Sequence, residues 1–124
     1  MKKIALVEDN PDNRLLFRVL LQENYEVAEY DNGADAWKDL QERSPDLVLL
    51  DISLPDMDGM EVLRRIRADT ALKEIPVIAL TAYNTAGDRE KFLAAGFTDY
   101  LTKPILEEVV LTRAIERCLE RRGG

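Results

Sequence analysis

Apolar residues along the chain fall into two kinds of run. Short unbroken runs lie at 4–7, 47–50 and 77–80, and runs of that length bounded by polar or turn residues read as strands buried on both faces. Residues 25–30 alternate well enough for an edge strand and are followed by the turn Asp31-Asn32-Gly33. A fifth, short strand is expected near 99–101. Between the strands, apolar residues recur at helical spacing over about 12–23, 34–43, 60–68 and 85–95, and again after Pro104. Asn10 or Asp12 can cap the first of these helices, with Pro11 in its first turn. Ser44-Pro45 stops the second, and Gly96 closes the fourth as a left-handed cap. Strand and helix thus alternate five times, which predicts an α/β fold with a parallel five-stranded sheet and helices on both faces.

The helix at 12–23 carries more apolar residues than one buried face needs. Leu15, Leu16, Phe17, Val19, Leu20 and Leu21 spread over an arc of ~240°, against a stripe of ~100° for an ordinary surface helix. The centre of the arc, Leu16, Val19 and Leu20, is expected to face the sheet. Leu15, Phe17 and Leu21 then lie on the flanks, where they either pack on neighbouring elements or form a partly exposed docking surface. The last helix places Leu111, Ala114, Ile115 and Cys118 on one stripe, so Cys118 reads as core. Trp37 reads as packing, and Arg117, Arg121 and Arg122 suit the dipole at the end of the final helix.

Composition narrows the chemistry. With 24 acidic and 17 basic residues the net charge is -7, which argues against nucleic-acid or anionic-membrane surfaces. No apolar run approaches a membrane span, and Met1-Lys2-Lys3 leads straight into a strand rather than a signal-peptide core. The single cysteine allows no intrachain disulfide, which fits a reducing cytoplasm. The chain has no histidine. Histidine-dependent triads, His-ligated zinc and a histidine phosphocarrier role are excluded, and an all-oxygen site suits a hard cation such as Mg²⁺.

Chemistry-bearing residues collect where the strands end. The run at 47–50 delivers Asp51, the run at 4–7 delivers Glu8 and Asp9, and 77–80 delivers Thr81. The short fifth strand delivers Lys103. A parallel sheet brings these to one edge, the edge where open α/β sheets bind ligands. Taken alone, Asp51 also reads as a polar strand terminator. Two carboxylates ~5 Å apart at an effective dielectric near 20 repel by roughly 3 kcal/mol, which a cation offsets. With Mg²⁺, three carboxylates and Lys103 the charges sum to zero, and phosphorylation of Asp51 leaves about -1, so the cluster can hold an aspartyl phosphate.

In order along the chain stand Val7-Glu8-Asp9-Asn10, Asp51 with Leu54-Pro55 and Asp58-Gly59, Thr81-Ala82, Ala95-Gly96, and Asp99-Tyr100-Leu101-Thr102-Lys103-Pro104. With these motifs the chain resembles the receiver domain of two-component response regulators over nearly its whole length, most of all the single-domain regulators of the cell-division-control kind. The resemblance implies a flavodoxin-like sheet in the order 2-1-3-4-5, a single receiver domain over 1–124 with no output domain, and a cis Lys103-Pro104 bond that aims Lys103 at Asp51. It implies Asp51 as phosphoacceptor, and Asp9, Glu8, Asp51 and the Ser53 carbonyl as the Mg²⁺ site. Thr81, the Ala82 backbone and Lys103 would hold the phosphate, and Thr81 and Tyr100 would act as the switch pair. Ser53 and Tyr83 stand two residues beyond Asp51 and Thr81, where the family varies and tunes the phosphate's lifetime.

The expected function is a cytoplasmic, phosphorylatable switch. It takes a phosphoryl group from a sensor histidine kinase or a histidine phosphotransfer protein, binds an output protein, and has no enzyme activity beyond self-phosphorylation and autodephosphorylation. A relay intermediate feeding a histidine phosphotransfer domain is the alternative. A phosphatase of the haloacid-dehalogenase kind needs a second acid two residues after its nucleophile, where this chain has Ser53. The first helix is the expected input surface. The face of the fourth helix, fifth strand and fifth helix is the expected output surface.

Overall fold

The computed structural model describes residues 1–82, 87–105 and 107–123, with side chains of the last helix as far as Glu120. Strand β1 (Lys2–Val7) leads to α1 (Pro11–Leu21), β2 (Tyr25–Tyr30), α2 (Gly33–Glu42) and β3 (Leu47–Asp51). Then follow α3 (Gly59–Ala68), β4 (Val77–Thr81), α4 (Asp88–Ala95), β5 (Asp99–Thr102) and α5 (Glu108–Gly123). All pairings are parallel and the strand order is β2-β1-β3-β4-β5, as expected. Among the described residues no helix is long and apolar enough to cross a membrane.

Period-2 alternation of the strands divides the core in two. Ala5, Val7, Val48, Leu50, Val77 and Ala79 point to a layer completed by α2, α3 and α4 through Ala36, Leu40, Val62, Leu63, Ile66 and Phe92. Ile4, Leu6, Leu47, Leu49, Ile78 and Leu80 point the other way, onto α1 and α5. Every residue of β3 and β4 is buried, so their apolar runs leave no face for water. Leu111, Ala114, Ile115 and Cys118 are buried as their stripe required. Trp37 packs partly buried against the first layer.

Local signals behave as read at several ends. The Asn10 side chain accepts from the backbone N–H groups of Asp12 and Asn13, and Pro11 opens α1. Gly96 ends α4 at φ 118°, in the left-handed region. The Lys103-Pro104 bond is cis. α4 begins at Asp88 behind Gly87. The earlier start expected at Thr85, together with Tyr83 and the side chains of Arg121 and Arg122, falls outside the described residues.

The facing of α1 departs from expectation. Phe17 and Leu21 are buried at 1% and 0% exposure, whereas Leu15, Leu16 and Val19 are 48%, 37% and 55% exposed. Leu20 is half-buried. The middle of the apolar arc is therefore not its buried sector. Phe17 and Leu21, one turn apart, reach the layer shared with α5, and Arg14 and Arg18 on the adjacent sector meet Glu29 of β2. Those contacts rotate the helix so that Leu15, Leu16 and Val19 face away from the sheet.

Candidate functional site

The register places the acids side by side. Val7 pairs with Leu50, so Glu8, just past the end of β1, and Asp51, the last residue of β3, stand side by side at the sheet edge. Thr81 ends β4 opposite Thr102, and its carbonyl accepts the Lys103 N–H at 2.7 Å. Glu8, Asp51 and Thr81 are buried, whereas Asp9 is exposed. Ligand oxygens of Glu8, Asp9 and Asp51 lie within 4.8 Å of one another.

Lys103 Nζ donates to Asp51 Oδ2 at 2.9 Å and to Glu8 Oε1 at 3.0 Å. The other Asp51 oxygen, Oδ1, accepts from the Ser53 N–H at 2.9 Å. Glu8 Oε2 accepts from the Asn10 N–H at 3.1 Å, and Oε1 meets Asn13 Nδ2 at 3.5 Å. One ammonium thus bridges two buried carboxylates. Burial pushes the Glu8 carboxyl up to about 7, aided by hydrogen bonding to Asp51 and by Asp51's charge, and opposed by Asn10 and Lys103. Burial alone would lower the Lys103 ammonium, but its hydrogen bonds to Asp51 and Glu8 and their charges outweigh it, so Lys103 sits above its ordinary value.

Gly59 shows why the loop after Asp51 carries a glycine. A Cβ there would lie 2.4 Å from the Asp51 carbonyl oxygen and 2.8 Å from Ile52 Cα. The Gly59 N–H instead donates to the Ile52 carbonyl at 3.0 Å, and Asp58 caps α3. Asp56 anchors the same loop from a distance. Its two oxygens accept from the N–H groups of Gly33 and Ala34 at 2.8 and 3.0 Å, joining the loop to the start of α2.

Reading the chain by itself missed Asp56 and Arg14. No local signal marks Asp56, because its partners lie 22 and 23 residues away. Arg14 Nη1 donates to the carbonyls of Glu8 and Asp9 at 2.8 and 3.0 Å. A cation so near a helix N-terminus, where the dipole favours acids, was a signal within reach. Tyr100 sits half-buried on β5, its ring centroid 5.8 Å from that of Phe92. Asp99, beside it, is bridged by Arg89 of α4 and Arg117 of α5 at 3.2 and 3.5 Å.

A parallel sheet in this order, with an acid cluster and a lysine at its C-terminal edge, agrees with a family comparison in which residues 4–116 match the response regulator receiver domain. The chain belongs to that family. The receiver is similar to the polar-differentiation response regulator DivK of Brucella anthropi, with 42% identity over 105 residues, 84% of this chain and 85% of that protein. Among solved structures it is similar to the receiver domain of a sensor histidine kinase from Pseudomonas aeruginosa PAO1, determined with a magnesium ion coordinated in its active-site cleft. The TM-score is 0.87 and the identity 38%, over 96% of this chain and 98% of that one. It also resembles the chemotaxis response regulator CheY4 of Vibrio cholerae, at TM-score 0.88 and 27% identity over 95% and 98% of the two chains.

The donor set of this receiver fits a magnesium ion. Three clustered carboxylates supply hard oxygen ligands, and the exposed Asp9 leaves the cluster open to water and to phosphate oxygens, both of which Mg²⁺ retains.

Proposed function

We propose that this receiver is a switch phosphorylated on Asp51 by a histidine kinase or histidine phosphotransfer protein in the cytoplasm, and that the phosphorylated form binds an output protein. The observation that carries the reading is the lysine bridge: Lys103 Nζ lies 2.9 Å from Asp51 Oδ2 in a buried cluster of acids. An Asp51 oxygen attacks the phosphorus of the donor's phosphohistidine. The new O–P bond forms as the N–P bond breaks, and the electron pair leaves with the imidazole ring. Glu8, Asp9, Asp51 and the Ser53 carbonyl would hold Mg²⁺. Bound there, the ion offsets the charge of the carboxylates and of the phosphoryl oxygens. Lys103, the Thr81 hydroxyl and the Ala82 N–H receive the phosphate.

Signal output follows from the same contacts. Thr81 drawn to the phosphate vacates space that Tyr100, on the neighbouring strand, fills. Both changes fall on the face of α4, β5 and α5, so a partner docking there distinguishes the two states; without such differential contact it could not shift the equilibrium. Phosphodonors dock on α1, through Leu15, Leu16 and Val19. The likeness to a receiver carried by a sensor histidine kinase favours a second reading, a relay intermediate that passes its phosphate to a histidine phosphotransfer domain. The test is labelling by acetyl phosphate. It is expected to require both Mg²⁺ and Asp51, and labelling that survives Asp51→Asn rules the site out. An acyl-phosphate pool that stays small and empties into a phosphotransfer domain selects the relay.

A further inference from the structure

Asp9 is the acid of the cluster whose placement needs explaining. Glu8 and Asp51 are buried and hydrogen-bonded. Asp9 is exposed, and among the described residues no hydrogen bond holds its carboxylate. Mg²⁺ tolerates little error, since it demands near-octahedral geometry with short metal–oxygen distances. Something must therefore fix the direction in which Asp9 leaves the backbone.

Arg14 does this from α1. A helical side chain leans towards the N-terminus, and Arg14 leans far enough for one guanidinium nitrogen to reach the carbonyl oxygens of both Glu8 and Asp9, at 2.8 and 3.0 Å. The guanidinium is held in turn. Its Nε lies 3.8 Å from Glu29 Oε1, while the other oxygen of Glu29 pairs with Arg18 at 2.9 Å. A basic residue in the opening turns of a helix opposes the dipole, and such local conflicts concentrate at functional positions.

We infer that Arg14 is a positioning residue for the metal-binding turn: it clamps the two peptide carbonyls and so sets the directions of the Glu8 and Asp9 carboxylates, and Glu29 steadies it. The inference rests on the reading of the acid cluster as a Mg²⁺ site. Its sign separates it from plain electrostatics. Removing a cation beside a cation site strengthens Mg²⁺ binding if charge is all that Arg14 contributes. Removing a clamp weakens it.

The test is calorimetric titration of Mg²⁺ into wild type, Arg14→Ala, Arg14→Lys, Glu29→Ala and the Arg14→Ala/Glu29→Ala double variant, with a urea melt of each in EDTA. Loss of an outer partner of a metal ligand typically weakens binding 10- to 100-fold, so Arg14→Ala is expected to bind about 10-fold or more weakly while melting near wild type in EDTA. Arg14→Lys, whose single nitrogen cannot meet the two carbonyls and Glu29 from separate atoms as Arg14 does, falls between. Glu29→Ala weakens binding in the wild-type background and adds nothing once Arg14 is gone. Equal or tighter binding by Arg14→Ala, or weakening that tracks a lost fold in EDTA, overturns the inference. A wild-type protein that binds no Mg²⁺ overturns the site reading instead, and the inference with it.

Discussion

At the scale of single residues, Glu8, Asp51 and Lys103 set the behaviour of the site. Two buried carboxylates share one ammonium, so without metal the cluster keeps an excess negative charge. Asp51→Asn removes part of that repulsion and is expected to raise metal-free stability by ~1–3 kcal/mol, measured by urea melts in EDTA; a less stable variant refutes the repulsion argument. The same crowding predicts a pH dependence. Glu8 holds its proton to about 7 in the fold but releases it near 4.5 when unfolded. Between those values Glu8 binds more protons in the native state, so its contribution to metal-free stability is fully present below about pH 4.5 and is lost as the pH rises through about 7. The loss is up to ~3 kcal/mol. Because Asp51 contributes to the shift, melts of Asp51→Asn over the same pH range are expected to show a shallower slope.

At the scale of elements, α1 and β5 carry the partner-facing predictions. Leu15, Leu16 and Val19 lie exposed on α1 while Phe17 is buried, so the two groups fail differently. Leu16→Ala and Val19→Ala are expected to slow phosphoryl transfer from a protein donor and leave acetyl-phosphate labelling intact. Phe17→Ala opens a core cavity and is expected to cost ~3–5 kcal/mol of stability, seen as a lowered urea midpoint. Transfer rates untouched by the exposed substitutions remove α1 from the input role. On β5, Tyr100 sits half-buried between Asp99 and Leu101, its ring near Phe92 of α4. Tyr100→Ala is expected to be phosphorylated at a near-normal rate and to bind its output protein poorly when phosphorylated, as measured by pull-down. Normal binding excludes Tyr100 from the switch.

At the scale of the whole molecule, a Mg²⁺ ion held by these acids would be linked to folding. The three acids come from separate stretches of chain, Glu8 and Asp9 after β1 and Asp51 at the end of β3, so the site exists only in the fold. Mg²⁺ at a hundredfold excess over its Kd is expected to stabilise the receiver by about 2.7 kcal/mol. Denaturant titrations at several Mg²⁺ concentrations check this, and a flat response refutes binding to the native state.

Which features were legible without coordinates follows from whether their cause is local. Buried strands announce themselves because a strand covered on both faces has no place for a polar residue, so the runs ending at Val7, Leu50 and Leu80 could be read directly. The acids and the hydroxyl that follow those runs had to emerge at one edge, since parallel strands share a direction. Caps such as Asn10 and Gly96 depend on their immediate neighbours and were legible for the same reason. The buried sector of α1 was not, because an apolar arc wider than one face satisfies several rotations equally. Contacts of Phe17 and Leu21 with the α5 layer, and of Arg14 and Arg18 with Glu29, choose among them. Asp56 on the start of α2 and Arg14 on the Glu8-Asp9 turn belong to the same class. Their partners are backbone groups, which look alike at every position of a sequence, and only the tertiary structure decides which of them a side chain meets.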